Sequence, residues 1–268
     1  MAVSLVTVPA PREGMYRIGR GPDEPFALPD WDRAGPDGTF GNRFDDPGAM
    51  FGILPEHRFR VLYCATQREA AFAEVLARFR QRPGLNPLLA RIEDDEETLE
   101  EALRGAVDPD FLDHVVLESD WLQRRRVGFS RIVAHGDVVD ITHADSLAHL
   151  NEALAPLLTV LGIDELDLSS LTNQNHRVLT QYAARYIYRH EFAGIRYTSR
   201  LGTNWECWAL FEGRFHHEMG YRSFPENIAP DDSDLLSVAR RFGITIEVMR
   251  GMNHYLRPWR DRDDTQDR

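Results

Sequence analysis

Residues 63–76, YCATQREAAFAEVL, mark the change from an apolar strand to a helix rich in alanine. The strand belongs to FRVLYCA at 59–65, and the pattern after it predicts a helix over Gln67–Arg80 that ends at the following RPG. A single carboxylate, Glu74, stands in the middle of this helix with alanines on either side of it. A helix that keeps large side chains away from one glutamate needs a physical explanation.

Helix geometry gives the predicted helix two different faces. An apolar stripe is formed by Phe72, Val75, Leu76 and Phe79, and with about 100° per residue Glu74 points away from it. One interpretation is an exposed alanine face on which Glu74 pairs with the arginine one turn later. The other is that the alanines line a cleft and the carboxylate reaches into it.

The composition is that of a globular protein with a strongly acidic balance. The chain has 268 residues, 43% of them hydrophobic and 28% charged, with a formal net charge of −12, and all 31 basic residues are arginine. This charge argues against direct nucleic-acid binding. Cys64 and Cys207 lie in apolar contexts with no short spacing, which predicts buried free thiols in a reducing compartment. The absence of a long apolar run and of a basic leader predicts a cytoplasmic protein without membrane contact.

The order of elements along the chain predicts an α+β fold in one domain, 1–268, since strands and helices alternate without a strict order. A core at about 15–213 would carry a helical insertion at about 90–190, and 214–268 would be an extension with a disordered end. Further strands are predicted at 15–20, 113–119, 130–136, 138–142, 194–199, 205–213 and 244–248. Further helices are predicted at 93–104, 145–161, 173–190 and 232–242.

The familiar catalytic motifs are absent from the sequence. There is no GxxxxGK[ST], no GxSxG and no HExxH, and the histidines at 143, 216 and 217 have no spacing that defines a metal site, so we predict none. What remains is a set of polar residues at unusual places. They are Arg17 in a short strand, Arg43 in a Gly/Asp/Pro loop, Tyr63 at a strand end, Glu74 on the alanine helix, and Ser199 at the end of the strand GIRYTS.

Three segments together resemble the RES domain family, which is named for its Arg, Glu and Ser. They are RFDDPG at 43–48, RVLYCATQREAAFAEVL at 60–76 and GIRYTSRLGTNWECWALFEG at 194–213. The resemblance spans roughly residues 15–213. It implies a fold like that of the ADP-ribosyltransferases, with a mixed β core and flanking helices.

The resemblance also implies a function and roles for the five residues. Members of the family act as toxins that consume NAD+ or transfer its ADP-ribose, commonly paired with a small antitoxin. Glu74 would stabilise the cationic sugar formed when the nicotinamide–ribose bond breaks. The pyrophosphate would be bound by Arg43 and Arg17, and Tyr63 would stack on the nicotinamide. Ser199 would bind the nicotinamide amide or hold Glu74 in place. NAD+ would be a substrate, with no further cofactor.

Each residue also has a purely structural interpretation. Arg43 could tie its loop to the two aspartates that follow it, and Tyr63 could be a core residue with a satisfied hydroxyl. Ser199 could cap the end of its strand, and Arg17 could extend its stem along the sheet. Three functions stay open at this point: an NAD+ glycohydrolase or phosphorylase that acts as a growth-arresting toxin, a mono-ADP-ribosyltransferase with a protein target, and a non-catalytic module that binds NAD or a partner.

Overall fold

The computed structural model describes residues 4–20, 24–80, 115–172, 176–218 and 225–247. The acidic helix predicted at 93–104 and the arginine-rich end of the chain lie outside these residues. No helix within the described ranges has the length and apolarity that crossing a bilayer requires.

The strands of the described residues form one large, curled, mixed sheet and one small parallel pair. The strands are β1 (Thr7–Val8), β2 (Met15–Arg20), β3 (Val61–Ala65), β4 (Val115–Leu117), β5 (Arg125–Ala134), β6 (Val138–Asp140), β7 (Gly194–Thr198), β8 (Glu206–Phe211), β9 (Phe215–Glu218), β10 (Glu226–Asn227) and β11 (Ile244–Ile246). The large sheet has the order β1-β6-β7-β8-β3-β2-β5-β10, and β9 pairs with β5. Only β6 and β7 run parallel among its described pairs, and β4 and β11 form the small pair.

Helices flank this sheet, so the fold is α+β, as predicted. They are α1 (Arg68–Leu76), α2 (Ser119–Gln123), α3 (Ala144–Ala153), α4 (Ala155–Leu161), α5 (Leu168–Thr172), α6 (Arg177–Arg189) and α7 (Ser233–Phe242). Short 3-10 turns occur at Trp31–Arg33, Pro47–Phe51, Pro55–His57 and Ala77–Phe79.

Strand register divides the side chains of the central strands between two faces. Tyr63 lies opposite Ala209 across β3 and β8, and Cys207 lies opposite Tyr197 across β8 and β7. Residues directly opposite each other or two apart share a face, so these four define what we call the site face. The main hydrophobic core covers it. The reverse face carries a second, smaller core that includes Cys64.

Helix α1 follows β3 directly and is packed tightly on several sides. It contacts β2, β3 and α7. Ala70, Ala71, Phe72, Ala73 and Leu76 are each at most 5% exposed. The small alanine side chains let the neighbouring elements approach the helix backbone closely, as close packing of protein interiors requires. The interpretation of the alanines as an exposed face is therefore wrong, and Ala70 and Ala73 do not line an open cleft either.

The structure corrects several predicted boundaries. The helix predicted over 145–161 is two helices that meet at Leu154, because a proline in the first turn of α4 provides no N–H to continue α3. Gly162 ends α4 with a φ of 65°, as a helix-terminating glycine does. The strand predicted at 130–136 is longer, Arg125–Ala134, and α2, β9 and β10 were not predicted.

The helical insertion predicted at about 90–190 is also too wide. Within it, β5 pairs with β2 and β6 pairs with β7, so residues 125–140 supply strands to the large sheet. The strands were assigned to the insertion because their pairing partners are far away in sequence. Beyond residue 213 the chain forms α7, and its cap Asp232 accepts hydrogen bonds from the N–H groups of Asp234 and Leu235.

The ion pair between Arg60 and Glu212 gives a test of the fold through pH. Arg60 donates to Glu212 through its backbone N–H and through Nε at 2.9 Å, beside the paired ends of β3 and β8. These bonds hold the pKa of Glu212 below its ordinary value, because they favour the carboxylate more than partial burial disfavours it. The pair therefore stabilises the fold above the pKa of an unfolded glutamate, about 4.3, and that stability is lost as the pH falls through the lowered pKa.

We predict that Glu212→Gln lowers the free energy of unfolding at neutral pH by about 1 kcal/mol. The difference from wild type should shrink as the pH falls below about 4.3. Urea unfolding across that range measures it. Glu218→Gln is the control, since Glu218 pairs with Arg131 and both of these side chains are about half-exposed. A Glu212→Gln deficit that does not change with pH would contradict this account.

Candidate active site

The loop GNRFDD at 41–46 is held in place by two buried aspartates. Asp45 is 3% exposed, and its carboxylate accepts hydrogen bonds from the backbone N–H groups of Phe40 and Asn42 at 2.9 and 2.8 Å. Asp46 caps the 3-10 turn that follows, accepting from the N–H of Gly48. Burial raises the pKa of Asp45, and these hydrogen bonds oppose the shift. Each carboxylate is thus used to shape the loop.

Helix α6 fixes the same loop from the other side. Thr180 Oγ1 donates to the backbone oxygen of Arg43 at 2.6 Å, and Gln181 Nε2 donates to that of Asn42 at 3.0 Å. Arg185 forms an ion pair with Asp46, whose side chain is fully buried. The predicted long helix at 173–190 therefore orients the candidate arginine, although residues 173–175 lie outside the described ranges.

The side chain of Arg43 turns toward the site face, where it lies near the rings of Phe44 and Tyr197. Its guanidinium carbon lies 4.8 Å from the centre of the Tyr197 ring, and Nη1 donates to the backbone oxygen of Leu171 at 3.0 Å. Because Asp45 and Asp46 are occupied by other donors, the interpretation of Arg43 as a tie to these aspartates is wrong. The permanent positive charge of Arg43 is thus held over the Tyr197 ring, and only Nη1 of its guanidinium binds Leu171.

Glu74 and Ser199 contact each other directly. Ser199 Oγ donates to Glu74 Oε1 at 2.5 Å, and Cys207 Sγ lies 4.0 Å from the same oxygen. The carboxylate is half-buried, whereas Ser199 is 4% exposed. The alternative pairing of Glu74 with Arg78 is not observed, because the Arg78 guanidinium lies over the Phe79 ring.

The backbone around Ser199 locks its hydroxyl in position. The N–H of Ser199 donates to the backbone oxygen of Trp205 at 2.8 Å, and Ser199 Oγ accepts from the N–H of Leu201 at 3.1 Å. The hydroxyl therefore accepts within its own turn and donates to Glu74. Ser199 does cap the end of its strand, and the cap orients the carboxylate as well.

Tyr63 uses its hydroxyl to support the loop. The hydroxyl accepts from the N–H of Phe44 at 3.1 Å and donates to Asp45 Oδ1 at 3.3 Å. Burial, together with the nearby charge of Asp45, raises the pKa of Tyr63 well above its ordinary value, so the phenol stays protonated. The ring is half-buried and lies on the site face.

Four of the five predicted residues meet around one aromatic ring, that of Tyr197. Burial raises its pKa, and the charges of Glu74 and Arg43 act on it, while Tyr63 lies on the same face and its hydroxyl accepts from the N–H of Phe44 beside Arg43. The Ser199 hydroxyl joins this cluster through Glu74. The fold therefore brings four of the residues predicted from the sequence to one site: Arg43, Tyr63, Glu74 and Ser199.

Arg17 does not join this cluster. It alternates with Tyr16 and Ile18, which pack on the main core of the site face, so Arg17 lies on the reverse face next to Cys64. Its Nη2 donates to the backbone oxygen of Ala27 at 3.2 Å, and burial lowers its pKa. The Arg17 guanidinium therefore binds the backbone of the segment around Ala27.

The described residues hold no cluster of three or more His, Cys, Asp or Glu side chains placed to bind a metal ion. Cys64 and Cys207 are free and buried, as predicted. Burial raises the pKa of Cys64 to about 12, so this thiol stays protonated. His143, one of the histidines considered above, instead accepts from the N–H of Asp145 and caps α3.

The sequence profile of the RES domain matches residues 15–225. This chain belongs to the RES domain family. It is similar to a chain in the crystal structure of the M. tuberculosis MbcT–MbcA toxin–antitoxin complex, with a TM-score of 0.40 and 15% sequence identity over 79% of this chain and 84% of that chain. No curated protein matches it.

Several residues that shape this candidate site were missed by the sequence analysis. Tyr197, Thr180 and Arg185 gave no local signal, because their roles arise only when α6 and β7 pack against the loop. Asp46 did give one, since an aspartate before Pro-Gly is a good cap for a short helical turn.

Helix α7, which lies beyond the end of the matched RES domain, braces both parts of the Glu74–Ser199 pair. On the side of α1, Arg68 pairs with Asp232 and Asp234, and Ser237 Oγ donates to Glu69 at 2.7 Å. On the other side, the Arg241 guanidinium lies over the ring of Trp205, which accepts from Ser199. The extension therefore fixes the turn of the serine relative to the helix of the glutamate.

We predict that Arg68→Met lowers the free energy of unfolding by about 2 kcal/mol, because it leaves two partly buried carboxylates without their partner. Urea unfolding at neutral pH measures the change. The control is Arg124→Met, which breaks an exposed pair with Asp120 at 2.9 Å and should cost about 0.5 kcal/mol or less. Equal losses in the two variants would show that α7 is not fixed through Arg68.

Proposed function

We propose that this RES protein is an NAD+-consuming enzyme that cleaves the bond between nicotinamide and ribose. The observation that carries the proposal is the contact of Ser199 with Glu74, which anchors a half-buried carboxylate in a cluster with Arg43. An anchored carboxylate suits a substrate that develops positive charge on a sugar, and a guanidinium suits a pyrophosphate. NAD+ combines both features.

In the proposed reaction the C–N bond to nicotinamide breaks, and its electron pair leaves with the nicotinamide ring. The ribose is left with oxocarbenium character, as in glycoside hydrolysis. The Glu74 carboxylate stabilises that positive charge in a site of low dielectric constant. Water then attacks the sugar and loses a proton to give ADP-ribose, or phosphate attacks in its place to give a phosphorylated sugar.

The remaining side chains have roles that follow from their contacts. Arg43 binds the pyrophosphate with the donors not used by Leu171, and its stacking on Tyr197 limits its freedom before the substrate arrives. Tyr63 offers its ring to the nicotinamide while its hydroxyl supports the loop. Ser199 acts through Glu74 as a positioning residue, since its hydroxyl is already engaged. Arg17 is not assigned to the site, because it lies on the reverse face of the sheet.

We predict that Glu74→Gln lowers the rate of nicotinamide release by about 10²-fold or more, because the amide cannot supply the negative charge. The glutamine side chain keeps an oxygen that can accept the hydrogen bond from the Ser199 hydroxyl, so the fold should be retained. The purified wild type and the variant are compared by nicotinamide release from NAD+. Glu152→Gln, an exposed isosteric change on α3, is the control and should act like wild type.

A folded wild type that binds NAD+ and releases no nicotinamide would overturn the enzymatic proposal and support the non-catalytic binding module. Isotope-labelled NAD+ separates the acceptors in the same assay. Label in small molecules is expected for hydrolysis or phosphorolysis, whereas label on protein would favour the mono-ADP-ribosyltransferase.

We predict that Ser199→Ala lowers kcat by about tenfold with little change in KM, because the carboxylate remains and only its orientation is less fixed. Steady-state kinetics of nicotinamide release measure both constants. A raised KM with an unchanged kcat would instead mean that Ser199 binds the substrate.

The biological role that we propose is that of a growth-arresting toxin in the cytoplasm, neutralised by a small antitoxin protein. It rests on the family resemblance, and consumption of NAD+ gives it a chemical reason. Expression of wild type without a partner should arrest bacterial growth, and expression of Glu74→Gln should not. Normal growth of cells that contain soluble, active wild type would contradict the toxin role.

A further inference from the structure

Three arginines from three different elements come together without forming an ion pair with Glu74 in the described residues. Arg20 ends β2, Arg125 begins β5, and Arg78 lies in the 3-10 turn after α1. Arg20 and Arg125 are directly opposite each other across the antiparallel strands. Such residues have Cβ atoms roughly 5 Å apart. The charge of Arg78 acts on both of the others, so we treat the three as one arginine cluster.

Aromatic rings hold two of the guanidinium groups of this cluster. Arg125 is 7% exposed, its guanidinium carbon lies 4.2 Å from the centre of the Trp121 ring, and Nη1 donates to the backbone oxygen of Trp121. Arg78 lies 4.6 Å from the centre of the Phe79 ring, which is edge-on to Trp121. The positive groups are therefore ordered in advance of any ligand.

Among the described residues, none balances the charge of the cluster through an ion pair. In the described parts of the chain, no ion pair joins Arg20, Arg78 or Arg125 to a carboxylate, and the Asp120 carboxylate near Arg125 is paired with Arg124. Burial, followed by repulsion from the neighbouring arginines, lowers the pKa of Arg125 to about 10. Like charges that face each other across two strands destabilise a sheet. The fold thus carries an unfavourable interaction that an anion would relieve.

We propose that the arginine cluster binds a small phosphate-bearing anion. Guanidinium groups match phosphate oxygens with paired hydrogen bonds, and a phosphate or pyrophosphate carries enough negative charge to balance several of them. A long nucleic acid fits less well, because a chain with a net charge of −12 repels a polyanion beyond the local cluster. This site does not depend on the proposed reaction at Glu74, because its arginines do not contact that carboxylate.

Binding of inorganic pyrophosphate to the full chain tests the proposal, measured by calorimetry at low and constant ionic strength. We expect saturable binding that weakens by about tenfold in Arg20→Gln, an exposed position. Arg131→Gln removes the same charge from an exposed position on β5 and should bind like wild type. The melting temperature of unliganded Arg20→Gln should equal or exceed that of wild type, because a repulsive partner is removed.

Three further probes, inorganic phosphate, ADP-ribose and adenosine, identify the source of the phosphate. If phosphate and pyrophosphate bind and ADP-ribose does not, the site takes free phosphate. If ADP-ribose also binds, and Arg20→Gln abolishes that binding, the site takes a nucleotide. Adenosine, which has no phosphate, should not bind. The proposal is overturned if the binding of pyrophosphate does not saturate. It is also overturned if Arg131→Gln weakens pyrophosphate binding as much as Arg20→Gln does. It is also overturned if Glu74→Gln abolishes binding that Arg20→Gln retains.

Discussion

The hydrogen bond from Ser199 to Glu74 joins two positions that are 125 residues apart, and much of the described structure serves to keep them in contact. Helix α1 can carry the glutamate close to the sheet because its alanines leave room for the neighbouring elements. The turn after β7 directs the serine hydroxyl inward, and α7 contacts both of these parts. Without this arrangement the carboxylate would lose its orientation, and orientation is what electrostatic catalysis depends on.

A second constraint acts on the loop that carries Arg43. Its two aspartates are almost fully buried, and a buried carboxylate is costly unless its oxygens accept hydrogen bonds. Asp45 is satisfied by the loop itself and by Tyr63, and Asp46 by the following turn and Arg185. The loop therefore has a defined shape, and Arg43 leaves it in the direction of Tyr197. The two aspartates shape the loop through these contacts, and neither of them forms an ion pair with Arg43 in the described residues.

The sequence predicted the local elements well where a short segment contains its own signal. The strand at 15–20, α1 after β3, and α7 with its aspartate cap and final glycine all follow from patterns within a few residues. Strand pairing could not be predicted in this way. The strands β5 and β6 were assigned to a helical insertion, because their partners β2 and β7 are distant in sequence.

The same distinction applies to the candidate site. The family resemblance identified Arg43, Tyr63, Glu74 and Ser199, and the fold brings these four together. Their supporting residues come from α6, β7 and α7, so only the packed structure could reveal them. Arg17 illustrates the opposite case: in a strand, a shift of one position moves a side chain to the other face of the sheet. Its position in the motif did not say which face that would be.

The most direct test of the central claim is a crystal structure of the Glu74→Gln variant soaked with NAD+. The account predicts that the nicotinamide ribose lies against the side chain at position 74, with its reactive carbon roughly 3–4 Å away, and that the pyrophosphate contacts Arg43. NAD+ bound elsewhere, with residue 74 and Ser199 still in contact and untouched by the ligand, would contradict it.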